Sequence, residues 1–349
     1  GVWARLHETT EEEIVAVVEE MAEAGVNVLF PETVYGSQSI YEDPTGLYPK
    51  FPQYDGIDPL QILIRECHAR NIEVHAWVHC FFIGIKDVPE EPALLAERYP
   101  DWLASDRAGR EVSTTETGFM YFSPSHPDVR RAIIDAYVAL TKNYDIDGFQ
   151  FDYIRYCRSD ERLDAQWDYS ENARAQAKAD LGFDPMDITP EADPEKWQRW
   201  LDWREKTITS FVRETSEAVR EVRPGIIISA DVFPDIKAAV VDKGQNWADW
   251  GQKGYIDAIV PMAYSKDPAE VVKAVATMKN LMPKDFPLPI GLGPYLGLTK
   301  RELILQVEAA RESGATGQVM FSWDTLTPEQ RRSLSTGPWR KSTEPDWKE

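Results

Sequence analysis

The sequence predicts a (β/α)8 barrel. Short apolar runs alternate with amphipathic stretches along all 349 residues, and eight such strand and helix pairs can be read in that length. No glycine-rich phosphate loop follows the first strand, as a doubly wound nucleotide-binding sheet would require.

The pairs run in order. Strand one is 1-GVWARL-6, and Thr10 with Glu11-Glu12-Glu13 opens a helix whose apolar positions Ile14, Val17, Val18 and Met21 repeat at helical spacing until Gly25 stops it. Strand two is 26-VNVLFPE-32, and its helix begins at Asp58-Pro59, an N-cap followed by proline at the first helical position. Strand three is 72-IEVHAWVH-79, paired with the helix at 128–144. Strand four is the run ending in 147-DGFQFD-152, and a long helix spans about 197–222. Strand five is 226-IIISADVF-233. The last three strands are 256-IDAIVPMAY-264, 288-LPIGLGPY-295 and 317-GQVMFSW-323, with helices from Pro268, Thr299 and Pro328. The barrel is expected over 1–335, with a C-terminal tail at 336–349.

Composition narrows the function. Residues are 43% hydrophobic and 28% charged, an ordinary globular balance, and the longest apolar runs are strand-sized, too short to span a membrane as a helix. A net charge of −21 argues against nucleic acid as a partner. Cys67, Cys80 and Cys157 have neither CxxC nor zinc-ligand spacing, so neither a disulfide framework nor a metal site is expected, and no cofactor motif is present. Gly1 is preceded by no leader, so an export signal, if there was one, has been removed.

Three connections, 33–57, 80–127 and 153–196, are far longer than usual and fall on the C-terminal face, where barrels of this kind place their active sites. They carry Tyr35, Tyr41, Tyr48, Phe51, Tyr54, Phe81, Phe82, Trp102, Phe119, Tyr121, Phe122, Trp167 and Tyr169. So many rings on polar loops suggest a cleft that stacks sugar faces; the alternative is that the loops fold back and use the rings as their own core.

Strand-end residues point into the mouth, which singles out Asp152. Alternation puts Gln150 and Asp152 on one face, and Arg155 follows within reach of a carboxylate. Asp231 ends the neighbouring strand and could face Asp152 across the range used by glycosidase pairs; Glu32, ending strand two, is the alternative partner, or else part of an ion pair in the mouth. His75 and His79 share one face of strand three, with Trp77 between them, and lack the third ligand a zinc site needs. His7 and Asp324 lie near the mouth, and Arg204 reads as a surface ion pair.

The run 147-DGFQFDYIRYC-157 resembles the D-G-(apolar)-H-(apolar)-D-Y-(apolar)-R-(aromatic)-P signature of the bacterial glycosyl hydrolase-like family 10. GVWARL, 75-HAWVH-79, 122-FSPSHPDVR-130, 202-DWREKTITSFV-212, 256-IDAIVPMAYSKD-267 and 317-GQVMFSWDTL-326 agree in order and spacing. Gln150 stands where histidine is commoner, His79 where asparagine is usual and Cys157 where proline is usual. The resemblance implies an exported barrel glycosidase acting on cell-envelope or other amino-sugar glycans, with Asp152 and Asp231 as acid/base and nucleophile. Glu32, Tyr35, Trp77, His79, Arg155, Tyr264, Trp323 and Asp324 would then contact the carbohydrate. Met262-Ala263-Tyr264 and the tryptophan at 323 are also similar to family-18 chitinases, in which a tyrosine supports the substrate's N-acetyl group as nucleophile and the tryptophan floors the pocket. The chitinase acid would fall at Ile154, which cannot donate a proton, so under that reading Asp152 is the acid. The rival from another class is a glycan-binding barrel without catalysis.

Overall fold

A computed structural model of the chain describes residues 1–159, 162–341, 343–345 and 347. In order the elements are β1 (Val2–Ala4), α1 (Glu11–Ala24), β2 (Val28–Tyr35), β3 (Gln38–Ser39), α2 (Pro59–His68), β4 (Glu73–His79), β5 (Phe82–Ile85), α3 (Leu94–Arg98), β6 (Phe119–Tyr121), α4 (Pro127–Asn143), β7 (Gly148–Asp152), α5 (Glu171–Leu181) and α6 (Pro194–Val222). The second half adds β8 (Ile227–Val232), α7 (Ile236–Lys243), α8 (Trp247–Gln252), β9 (Ala258–Pro261), α9 (Pro268–Lys279), β10 (Pro289–Leu292), α10 (Lys300–Ser313), β11 (Gly317–Phe321) and α11 (Pro328–Thr336).

Eight of these strands are parallel neighbours in the order β10-β11-β1-β2-β4-β7-β8-β9, and the Met262–Gly291 bridge brings β9 back to β10. The (β/α)8 barrel expected from the sequence is therefore present, nearly closed. Helix starts follow local chemistry: Thr10 and Glu13 form a reciprocal capping box on α1, worth about 1 kcal/mol, and Gly25 ends it at φ 87°, where a side chain would be strained. The helices α7 and α8, between β8 and β9, are short and were not expected.

Strand alternation divides the apolar residues. Leu29, Val74, Phe149, Phe151, Ile228 and Ala230 face outward under the helices, while Trp3, Val28, Phe30, Trp77, Val260 and Val319 fill the interior. Trp3 Nε1 donates to Gln150 Oε1 at 2.6 Å, pairing the buried polar group of the interior layer. Gly148 is dictated by space, because a β-carbon there would collide with the His75 ring. His75 is fully buried near the barrel's closed end, 3.1 Å from Glu73, rather than in the mouth. The described part of the tail returns beneath the barrel: Asn27 donates to the Thr343 carbonyl, and Trp347 donates to Glu73 at 2.8 Å with its ring 5.0 Å from His75.

The long connections fold on themselves. β5 and β6 form an antiparallel hairpin in the second, and α5 occupies the third. Of the thirteen loop rings named above, all but Trp102 and Phe119 are buried. The rings therefore serve mainly as local core, because a loop this long needs its own apolar interior to offset the entropy of ordering it.

Candidate active site

The pairing Gln150↔Ser229 between β7 and β8 puts Asp152 and Asp231, each two residues further on, at one level and on the inner face. The pairing His79↔Asp152 brings β4 to the same level, and Glu32 pairs with Trp77 one strand beyond. Four candidate residues thus meet at the C-terminal mouth because their strands share a register.

Asp152 accepts Trp77 Nε1 at 3.0 Å and the Tyr153 backbone N–H at 2.6 Å. Burial raises its pKa above the usual value, although the charge of His79, both N–H donors and the Arg155 charge limit the rise. Asp231 has no such help. It is 2% exposed, its Oδ1 has no hydrogen-bond partner among the described residues, and burial plus the charge of Asp152 lift its pKa well above the carboxylate range. Two adjacent carboxyls therefore sit in environments that separate their titrations, the neutral form being favoured more strongly at Asp231 than at Asp152.

Glu32 is committed elsewhere. Arg5 reaches it through Nε at 2.5 Å and Nη2 at 3.1 Å, and His79 Nε2 lies 3.1 Å from its Oε1. Burial alone would raise its pKa, but His79 and Arg5 outweigh that and hold it below its usual value, so Glu32 is an ion-paired anion rather than a free partner for Asp152.

Several sequence expectations land elsewhere. Arg155 is 5% exposed and holds Glu116, not Asp152, with Nη2–Oε1 2.8 Å and Nη1–Oε2 3.1 Å. Tyr35 is 3% exposed beneath the Arg5 guanidinium, out of sugar contact. Trp323 does not floor the mouth: β11 ends at Phe321, the chain turns into a single 3-10 turn, and the indole is buried 3.9 Å under Arg331. Phe321 takes the inner place, stacked on Tyr264 at 5.3 Å and 27°. Tyr264 stays in the mouth, its hydroxyl kept protonated by burial and then by the charges of Asp231 and Asp152. Asp324 lies at the rim, 3.8 Å from His7. Arg204 is buried over the Tyr156 ring at 4.6 Å rather than in a surface ion pair, because it donates to the Val241 and Asp242 carbonyls. No group of three or more histidine, cysteine or acidic side chains among the described residues could hold a metal ion.

Residues the sequence reading passed over complete the mouth. Tyr153, at φ 48°, stacks on Phe82 at 4.5 Å, and Phe233 lies between Arg155 and Lys243. Tyr295 is 47% exposed and stands at 84° to Tyr264 and 85° to Phe321. The only signals for these were aromatic residues directly after strands four and five and just beyond strand seven.

A (β/α)8 barrel with paired, differently tuned carboxyls at its mouth has the layout of a glycoside-processing enzyme. Residues 3–308 match the glycosyl hydrolase-like 10 family model, and the chain belongs to that family. It is 24% identical over 284 residues to glycosyl hydrolase YngK of Bacillus subtilis and 22% identical over 275 residues to glycosyl hydrolase DigH of Escherichia coli, covering 72% and 69% of this chain. The chain spans only about half the length of these curated relatives, 49% and 55%. Among solved structures it resembles the glycoside hydrolase domain of PgaB (BpsB) from Bordetella bronchiseptica, with TM-score 0.70, 16% identity and coverage of 96% and 97%. It also resembles the catalytic domain of β-amylase from Paenibacillus polymyxa, with TM-score 0.66, 11% identity and 98% coverage of both chains. At those identities the likeness concerns the fold.

Proposed function

We propose that the chain is a glycoside hydrolase in which Asp152 and Asp231 do the chemistry. The observation that carries this is the unequal provision of hydrogen bonds to the two strand-end carboxyls. Glycoside cleavage needs an acid for the leaving oxygen and an anion for the oxocarbenium charge. Asp231, kept neutral by its dry surroundings, is the proton donor. Asp152, held by two N–H groups, is the anion that faces the anomeric carbon, directly or through a water. This reverses the role that the chitinase-like reading gives Asp152.

Tyr264 favours a second reading, in which a substrate N-acetyl group attacks the anomeric carbon and the protonated Tyr264 hydroxyl supports it. The second reading points to amino-sugar polymers such as cell-envelope glycans, in line with the family resemblance, and a chain acting on them would work outside the cytoplasm. The test is hydrolysis of β-linked N-acetylglucosamine oligomers and peptidoglycan strands by the wild type, Asp152→Asn and Asp231→Asn. Loss of several orders of magnitude in both variants is expected. Near-normal rates in either would remove that residue from the mechanism.

A further inference from the structure

We infer that His79 is a positioning residue that opposes protonation of Asp152, itself held in place by Glu32 and Arg5. The inference deepens the proposed function and rests on it only for the rate measurements below.

The geometry is a chain of alternating charge across three strand ends. Arg5, just past β1, grips Glu32 on β2 with two donors, and Glu32 Oε1 lies 3.1 Å from His79 Nε2 on β4. The same nitrogen lies 3.9 Å from Asp152 Oδ2 on β7. The His79 side chain is 4% exposed, so water does little to screen either contact. Its ring is caged by Tyr153 at 4.7 Å, Phe82 at 5.5 Å, Trp77 at 5.6 Å and Tyr35 at 6.4 Å, which fixes the direction in which Nε2 points.

The surroundings decide what the ring can do. The other charged groups near it are Arg155, which faces Asp152 from the loop after β7 and is already paired with Glu116, and Glu91, which shares Arg5 from the loop after β5. Asp231 on β8 acts on Asp152 from the opposite side, and the nearby phenols of Tyr35 and Tyr153 stay protonated. Two carboxylates, Glu32 and Asp152, thus converge on one imidazole nitrogen. Positive charge there relieves both, and it is the largest charge opposing the burial of Asp152.

The proposal makes an unusual sign prediction. Deleting a nearby anion normally lowers a carboxyl's proton affinity. Here Glu32→Gln removes the anchor that holds the His79 ring against Asp152, so Asp152 should titrate at higher pH although an anion has been taken away. His79→Asn should move it the same way and further.

The experiment follows the Asp152 carboxyl by carbon-13 NMR in wild type, His79→Asn and Glu32→Gln, with Asp152→Asn to assign the signal. An increase of about tenfold in proton affinity is expected for His79→Asn, with a smaller increase for Glu32→Gln. An unmoved titration in His79→Asn would show that the ring only packs, and a decrease in Glu32→Gln would show that Glu32 acts on Asp152 directly; either overturns the inference. In parallel, the acidic limb of kcat should move up with the titration while KM changes little. If the titrations shift as expected but no glycan is cleaved by any form, the hydrolase reading fails and the role of His79 stands.

Discussion

Asp231 lies beside Asp152 with its Oδ1 unpaired among the described residues, whereas Asp152 receives an N–H from Trp77 and another from Tyr153. An acid of raised pKa donates only while protonated, so kcat should fall as pH rises through the folded-state value of Asp231. A pH–rate profile of the wild type should show that alkaline limb, and the residual rate of Asp231→Asn should lack it.

The same burial has a cost in stability. The folded pKa of Asp231 exceeds its unfolded value, so the folded chain holds a proton that the unfolded chain releases, and stability falls as pH rises from about 4 to the folded value. The slope is at most about 1.4 kcal/mol per pH unit. Asp231→Asn should therefore melt higher than the wild type at neutral pH, with the gap in Tm closing near pH 4.

Arg155 and Glu116 form a buried pair, and Glu116 is drawn down to about 2 by the Arg155 charge and hydrogen bonds, which outweigh its burial. A depressed carboxylate stabilises the fold above its unfolded pKa and loses that contribution as pH drops toward 2. Arg155→Met should cost about 3–5 kcal/mol in urea unfolding by stranding a charge, and adding Glu116→Leu should recover much of it. A double variant no more stable than the single would show that the pair is not the cause.

Trp77→Phe keeps the ring but deletes one of the two donors to Asp152. Turnover on a cleaved oligosaccharide should drop by about 5- to 160-fold, the cost of roughly 1–3 kcal/mol, with the acidic limb displaced to higher pH.

Tyr295 offers an exposed ring at the mouth's edge. Tyr295→Ala should raise KM for longer oligosaccharides about tenfold while Tyr295→Phe preserves it, since stacking needs the ring and not the hydroxyl.

The barrel was legible because its signal is repeated: each strand and helix pair shows its own period, and caps such as Thr10 and Asp58 are local. Asp152 was legible because a polar residue closing an apolar run has few structural reasons to be there. Arg155 and Trp323 were misplaced for a shared reason. Beyond the last ladder residue the side-chain direction depends on the turn taken, so parity carries no further: Arg155 turns to a glutamate 39 positions earlier and Trp323 to a helix. Glu116 sits in a loop without periodicity, where nothing in the sequence marks its partner.

Gly1 and Trp347 line one cavity at the barrel's closed end, away from the carboxyls. A bulky label placed at residue 1 or at Trp347 would therefore leave the mouth open to a polymer.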